Sequence, residues 1–145
     1  MENSSGISRL LIAPKGDWLA LGGEGGQLIV WEWASQSYIM QQQCQGHSVS
    51  SISYSPCGSK IATGGTDGHV KIWNMTSGFC NITFKNHTGD VSGIAWMRSG
   101  FALVSSSKDG TVRAYDLRRY RNFRTLVTPT PQRLFNTIHV TKFWS

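Results

Sequence analysis

The sequence predicts an all-β protein built from about three similar units, each a small four-stranded antiparallel sheet. The first observation behind this is a repeat of 42 residues, in which APKG (13–16), SPCG (55–58) and MRSG (97–100) align. The longer strings LALGGEGGQLIVWEW (19–33), IATGGTDGHVKIWNM (61–75) and LVSSSKDGTVRAYDL (103–117) align at the same spacing. The second observation is the alternation of apolar and polar residues in 48–56, which is typical of a half-buried strand. The third is an Asp-Gly pair between β-rich segments, which favours a tight hairpin turn.

The elements follow in order within each unit. In the second unit, strands are predicted at 48–56, 60–65, 69–74 and 79–84, with the Asp67-Gly68 turn between the middle two. The third unit repeats this arrangement around Asp109-Gly110, and the first begins with a strand near 7–13. A period of about 40–45 residues, with Gly-His at one end and Trp-Asp-like residues at the other, is the signature of WD40 repeats. Each such repeat forms one four-stranded blade of a β-propeller.

The predicted architecture is therefore a partial WD40 β-propeller of about three blades, open, with the ring not closed. We expect a propeller fragment over 1–131, with blades near 7–46, 47–86 and 87–127. After Pro131 the repeat stops, and 132–145 is predicted to be a divergent C-terminal tail. Because uncovered blades expose apolar flanks and unpaired strand edges, we expect marginal stability or self-association.

A structural hydrogen-bond network is predicted within two of the blades. In WD repeats a His, a Ser or Thr, an Asp and a Trp form a chain of hydrogen bonds, which rigidifies a blade when every member is satisfied. The residues at these places are His47, Thr63, Asp67 and Trp73 in the second unit, and His87, Ser105, Asp109 and Tyr115 in the third. The first unit has Leu21 and Gly25 instead and keeps only Trp31, so no network is expected there.

A hydroxyl, a His and an Asp also make up a hydrolytic triad, and this is the enzymatic alternative. It is disfavoured because the set recurs once per blade and no G-x-S-x-G elbow is present. No phosphate-binding loop, dinucleotide fingerprint or metal cluster occurs, and the three cysteines show no C-x-x-C spacing. We therefore expect no enzyme activity, no cofactor, no metal and no small-molecule substrate.

The charge pattern indicates an acidic partner. The formal net charge is +6, and no apolar run approaches the roughly 18 residues of a membrane span. Arginines cluster around Tyr120 and Phe123, where they could neutralise phosphates while the rings stack on unpaired bases. In the alternative, the rings pack against a neighbouring blade, and the arginines are solvated or pair with acidic residues of a partner. The arginines of this possible RNA or acidic-partner patch are Arg113, Arg118, Arg119, Arg121 and Arg124.

More specific strings resemble one family. GQLIVWEWASQSYIMQQQCQGH (26–47), TSGFCNITFKNH (76–87) and DGTVRAYDLRRYRNFRT (109–125) are similar to the periodic tryptophan protein 2 family of eukaryotic nucleoli, over about 7–130. The resemblance implies a non-catalytic scaffold of the small-subunit processome, in its UTP-B subcomplex. The implied partners are other processome proteins, U3 snoRNA and pre-rRNA. The implied role is pre-rRNA processing for 40S ribosome biogenesis, in the nucleus and nucleolus.

A second function remains open from the sequence. The segment 103–118 approximates the WDxR-type motif of WD-repeat substrate receptors for cullin-type ubiquitin ligases, in which Arg118 would contact the adaptor. Tyr115 in place of Trp, and Ala114 where a larger apolar residue is usual, weaken this interpretation. A generic protein-interaction propeller is the third alternative, since a fold does not determine its function.

Overall fold

The computed structural model describes residues 6–127, which form three four-stranded antiparallel sheets. In each sheet the strands are neighbours in chain order, from an inner strand to an outer one. The twelve strands are β1 (Ile7–Ile12), β2 (Trp18–Gly23), β3 (Gln27–Glu32), β4 (Ser37–Gln43), β5 (Val49–Tyr54), β6 (Lys60–Gly65), β7 (Val70–Asn74), β8 (Cys80–Phe84), β9 (Val91–Trp96), β10 (Ala102–Ser107), β11 (Thr111–Asp116) and β12 (Arg121–Val127).

This architecture confirms the predicted fold class. Within residues 6–127 the protein is all-β, and none of the three sheets closes on itself. The sheets occupy 7–43, 49–84 and 91–127, inside the three predicted blades. The predicted tail at 132–145 lies outside the described residues. In the described part of the chain no helix is long and apolar enough to cross a membrane.

The hairpin turn between β6 and β7 shows why the chain folds back where the sequence predicts. Gly68 has a φ of 82°, in the left-handed region that glycine adopts with little steric cost. A Cβ at this position would lie 2.6 Å from the carbonyl oxygen of His87, at the start of the next blade. The glycine therefore serves both the turn and the close contact between blades.

The blades pack through their inner strands. β5 contacts β1 and β2 on one side and β9 on the other, so the second blade lies between the first and the third. Ser8 and Ser50, which are 42 residues apart, each donate a hydrogen bond across a blade interface, to the carbonyl oxygens of Val49 and Val91. The Trp96 indole donates to the Ser53 carbonyl at 3.1 Å.

Two apolar cores lie at these interfaces. The first and second blades share a cluster that includes Val30, Val49 and Trp73. The second and third share another that includes Phe84 and Tyr115, whose rings are stacked with centroids 4.2 Å apart. Because each core takes residues from two blades, burial of apolar surface couples the blades to one another.

Candidate functional site

The second blade contains a continuous buried hydrogen-bond network. The Trp73 indole Nε1 donates to the Thr63 hydroxyl at 3.1 Å, and this hydroxyl donates to the Gln45 side-chain carbonyl at 3.1 Å. The Gln45 amide nitrogen then donates to Asp67 Oδ1 at 2.8 Å. Thr63 is fully buried and Gln45 nearly so, so the network lies inside the blade.

This network corrects the prediction for His47, whose place is taken by Gln45. His47 is exposed, two residues beyond the position that faces Thr63 and Asp67. The repeat contained the signal, since 42 residues before His87 is position 45, whereas the Gly-His dipeptide led to 47. A glutamine amide can substitute for the imidazole because it presents an acceptor to the hydroxyl and a donor to the carboxylate.

The third blade contains the four predicted residues in one network. Asp109 Oδ2 lies 3.0 Å from His87 Nδ1, and His87 Nε2 lies 2.7 Å from the Ser105 hydroxyl. The Ser105 hydroxyl is in turn 3.4 Å from the Tyr115 phenol, a longer contact than the indole contact of the second blade. The phenol therefore replaces the indole, as the sequence predicts, with a looser closing contact.

The first blade contains no equivalent of these networks among its described residues. Leu21 and Gly25 lie at the corresponding places, and Trp31 packs edge-on against Trp33 with ring centroids 5.1 Å apart. The Trp18 indole donates instead to the Glu32 carboxylate at 3.0 Å. This blade is therefore held by aromatic packing and an ion-dipole contact rather than by a buried chain of hydrogen bonds.

Burial and hydrogen bonding set the charge states of the networks. Burial lowers the pKa of His87 and outweighs the opposing effect of Asp109, so the ring is neutral at pH 7. For Asp109, burial acts to raise the pKa, but hydrogen bonds from the Thr111 hydroxyl, the Thr88 N–H and His87 lower it to about 2. At Asp67, hydrogen bonds from the backbone N–H groups of Gly46 and His69 likewise outweigh the effect of burial, so the pKa of this carboxyl is lowered.

The same geometry decides against the hydrolytic interpretation. The Ser105 hydroxyl, the His87 ring and Asp109 are aligned as in a triad, but Ser105 is fully buried and His87 nearly so. A nucleophile must reach its substrate, and the Ser105 oxygen is enclosed between the ring and the Tyr115 phenol. The aligned groups hold the blade together.

Three of the five predicted arginines lie together at one end of the third blade. Arg118 and Arg119 are in the turn between β11 and β12, and Arg121 begins β12. Asp116 Oδ1 accepts hydrogen bonds from the backbone N–H groups of Arg118 at 2.8 Å and Arg119 at 3.2 Å, which orders the turn. All three arginines are exposed.

The other two arginines are separate from this group. Arg113 is half-buried in β11 and donates to the Thr125 hydroxyl at 3.3 Å. Arg113 pairs with Thr125 across the sheet and Ala114 pairs with Arg124. Because side chains alternate along a strand, Arg113 and Arg124 lie on opposite faces of the sheet.

Two aromatic residues at this end of the blade are exposed rather than packed against a neighbouring blade. Tyr120 is 62% exposed, and Phe101 at the adjoining turn is 51% exposed. The Arg118 guanidinium carbon lies 4.1 Å from the centre of the Phe101 ring, in a cation–π contact. Sequence reasoning missed Phe101, which is remote in the chain and reaches the arginines only through the pairing of β10 with β11.

The second and third blades match a known repeat family. A model of the family described as "WD domain, G-beta repeat" matches residues 39–74 and 78–116, just over half of the chain. The chain belongs to the WD40 repeat family. The matched segments cover most of the second and third blades, where the two hydrogen-bond networks lie.

Curated relatives confirm the narrower resemblance. A Caenorhabditis elegans protein named "Periodic tryptophan protein 2 homolog" is 56% identical over 82% of this chain, and one from Mus musculus is 50% identical over 86%. "Periodic tryptophan protein 2" of Arabidopsis thaliana is 45% identical over 81%. The chain spans only 13–14% of the length of these relatives.

Solved structures share the fold. "Crystal structure of RRP9 WD40 repeats" matches 88% of this chain with a TM-score of 0.80, and "Structure of U3-55K" matches 88% with a TM-score of 0.81. The matches cover 40% and 41% of those chains, at 22% sequence identity in both cases. At this identity the similarity establishes WD-repeat architecture alone.

Proposed function

We propose that this chain is a non-catalytic scaffold segment of a small-subunit processome component, acting in pre-rRNA processing and 40S ribosome biogenesis. The observation that carries the proposal is the 45–56% identity to proteins named periodic tryptophan protein 2, over about four-fifths of the chain. The proposed location is the nucleus and nucleolus. The proposed partners are UTP-B subunits, with U3 snoRNA and pre-rRNA contacted directly or through those subunits.

The distribution of buried and exposed polar side chains in the blades supports a scaffold role. The groups best suited to chemistry, His87 with Ser105 and Asp109, are enclosed and hydrogen-bonded to one another. The exposed charged groups are instead those of Arg118, Arg119 and Arg121, which we call the basic turn. Exposed guanidinium groups form bidentate hydrogen bonds with phosphates and carboxylates, so this turn is suited to binding rather than to catalysis.

Affinity purification of the tagged chain from eukaryotic cells tests the proposal. We expect co-purification of U3 snoRNA, measured by reverse transcription and amplification, together with ribosome-biogenesis proteins. Recovery of a cullin adaptor instead would establish the substrate-receptor alternative. Recovery of neither would leave a generic interaction propeller and contradict the processome role.

Charge reversal tests the basic turn within that role. The variant with Arg118→Glu, Arg119→Glu and Arg121→Glu is expected to lose most of its U3 association. Lys85→Glu with Lys108→Glu is a control for charge reversal elsewhere, because these lysines lie at the opposite end of the sheets, beside the β7 and β11 starts. Its folding is checked by circular dichroism, since Lys108 pairs with Asp90 at 3.7 Å. Unchanged association of the arginine variant would show that this turn is not the docking patch.

A further inference from the structure

The end of the third blade presents flat, stackable groups to solvent. The relevant turns are 97–101, between β9 and β10, and 117–120, between β11 and β12. We use the name stacking surface for six exposed residues of these turns and of the first position of β12, namely Arg98, Phe101, Arg118, Arg119, Tyr120 and Arg121. Every member carries either an aromatic ring or a planar guanidinium group.

The guanidinium groups of the stacking surface are available to a ligand. Within residues 6–127 no side-chain hydrogen bond or ion pair joins them to one another or to a carboxylate. Arg118 contacts the Phe101 ring, and the positive charges of Arg119 and Arg118 contribute to lowering the pKa of Asp116. The nearest acid, Asp116, is committed through Oδ1 to two backbone N–H groups. The stacking surface thus has four arginines and one neighbouring aspartate, so its net charge is positive.

Tyr120 is held in a backbone conformation that disfavours it. Its φ is 55°, in the left-handed region, and the residue 42 positions earlier is Gly78 with a φ of 77°. Non-glycine residues in this region carry conformational strain, and such strain concentrates at functional positions. The same turn position is left-handed in all three blades, with Gln36 at a φ of 53° in the first, so the feature particular to the third blade is the large exposed ring that it places there.

We infer that the stacking surface binds single-stranded RNA, with bases stacked on Tyr120 and on the Arg118–Phe101 pair, and phosphates held by Arg98, Arg119 and Arg121. The inference rests on the proposed function and names the ligand class of its basic turn. Aromatic side chains and guanidinium planes are the groups on which unpaired bases stack, and positive charge neutralises the phosphates. The exposed large hydrophobic side chains of these turns are the rings of Phe101 and Tyr120, and the positive charge beside them favours a polyanion with exposed bases.

Fluorescence anisotropy with the full chain tests this inference. The probe is a labelled single-stranded oligouridine of about 12 nucleotides, within the usual site sizes. We expect binding that weakens with salt, and Tyr120→Ala is expected to weaken it about fivefold or more. Arg119→Gln is expected to lower the slope of log affinity against log salt by about 0.7, the value for one lost phosphate contact on a single strand.

Two further variants keep the test decisive. Tyr120→Gly removes the ring and also relieves the left-handed strain, so it folds at least as well as the parent and should bind as poorly as Tyr120→Ala. Tyr38→Ala is the matched control, because Tyr38 is also 62% exposed and its preceding turn, 33–36, contains no basic residue. Its RNA affinity should equal that of the parent chain.

Several outcomes would overturn the inference. These are absence of RNA binding, equal losses in the Tyr38 and Tyr120 variants, or tighter binding to duplex RNA than to the single strand. Tighter binding of labelled polyglutamate, unchanged by Tyr120→Gly, would assign the surface to an acidic protein instead. If the chain co-purifies with processome components but fails these RNA tests, only the inference is wrong. If it binds RNA as expected but does not co-purify with processome components, only the proposed function is wrong.

Discussion

An amide and an imidazole occupy the same place in neighbouring blades. Gln45 bridges Thr63 and Asp67 in the second blade, and His87 bridges Ser105 and Asp109 in the third. Both side chains combine one donor and one acceptor, so either completes the chain of hydrogen bonds. They differ in one physical property: only the imidazole can gain a proton near neutral pH.

The first prediction separates Gln45 from its exposed neighbour. Gln45→Ala leaves the buried Thr63 hydroxyl without its acceptor and removes the side-chain donor to Asp67, and should lower the free energy of unfolding by about 1–3 kcal/mol. His47→Ala should change it by less than about 0.5 kcal/mol, because that side chain is at the surface. Urea unfolding of the two variants gives both values, and equal losses would place His47 in the network after all.

The second prediction concerns pH. The pKa of His87 is lowered in the folded protein from its usual value of 6.5, so at lower pH the unfolded chain binds more protons than the folded one. The His87 contribution to stability is therefore complete above pH 6.5 and is lost as the pH falls below it. Asp109 titrates in a separate range, since its pKa is lowered from 3.8 to about 2.

The control for this prediction comes from the second blade. His87→Gln reproduces the Gln45 arrangement with a group that does not titrate. The variant should show a smaller loss of melting temperature between pH 7.5 and pH 5 than the parent chain does. Identical losses in the two proteins would mean that another group dominates the pH response.

At the scale of the element, glycines in different turns of one blade have different surroundings. Gly68 and Gly78 both have positive φ and both contact another blade, since the Gly78 carbonyl accepts a hydrogen bond from Gln42 of the first blade at 3.0 Å, but a side chain would meet the neighbouring blade only at Gly68. A Cβ at Gly68 would lie 2.6 Å from the His87 carbonyl oxygen, whereas nothing lies within 4 Å of a Cβ at Gly78. A side chain is thus disfavoured at Gly78 by the backbone conformation alone, and at Gly68 by the backbone conformation together with the neighbouring blade.

The third prediction follows from that difference. Gly78→Ala should cost about 1 kcal/mol, the conformational penalty of the left-handed region. Gly68→Ala should cost about 2–4 kcal/mol, because the same penalty adds to a steric clash at the blade interface. Thermal unfolding monitored by circular dichroism compares the two, and similar losses would contradict the contact across the interface.

Strands and turns were largely predictable from the sequence. The 42-residue period located all three sheets, because β-hairpins form from local alternation and local turn residues. The irregularities were not predictable: β3–β4, β7–β8 and β11–β12 each shift register, between Val30 and Trp31, Ile72 and Trp73, and Ala114 and Tyr115. The three shifts fall at the same position of the repeat, but the alternation of apolar and polar residues does not indicate an extra residue in the outer strand.

At the scale of the molecule, the blades are coupled through shared cores. Phe84 ends the outer strand of the second blade, and its ring stacks on Tyr115 of the third. Tyr115 is fully buried and also closes the Ser105 network. A change at Phe84 therefore acts on a hydrogen-bond network in a different blade.

The fourth prediction tests this coupling. Phe84→Ala should lower the free energy of unfolding by about 3–5 kcal/mol, the usual cost of removing a buried ring. Hydrogen exchange should speed up in β10 and β11 as well as in β7 and β8, while β2 and β3 keep their protection. Faster exchange confined to the second blade would show that the blades unfold independently.

The sequence by itself determined the repeat, the four-stranded units and the family, because these depend on local pattern and regular spacing. For the same reason it determined three of the four members of the second network and all four members of the third. The tertiary structure decided that Gln45 and not His47 completes the second network, where the sequence offered both the repeat spacing and the Gly-His dipeptide. It alone decided that Arg113 and Arg124 lie apart from the basic group. It also placed the Phe101 ring in contact with the Arg118 guanidinium, in the same group of turns as the exposed Tyr120. The physical reason is that a side chain's direction and neighbours follow from strand register and from packing between blades, and both are set by contacts between residues far apart in the chain.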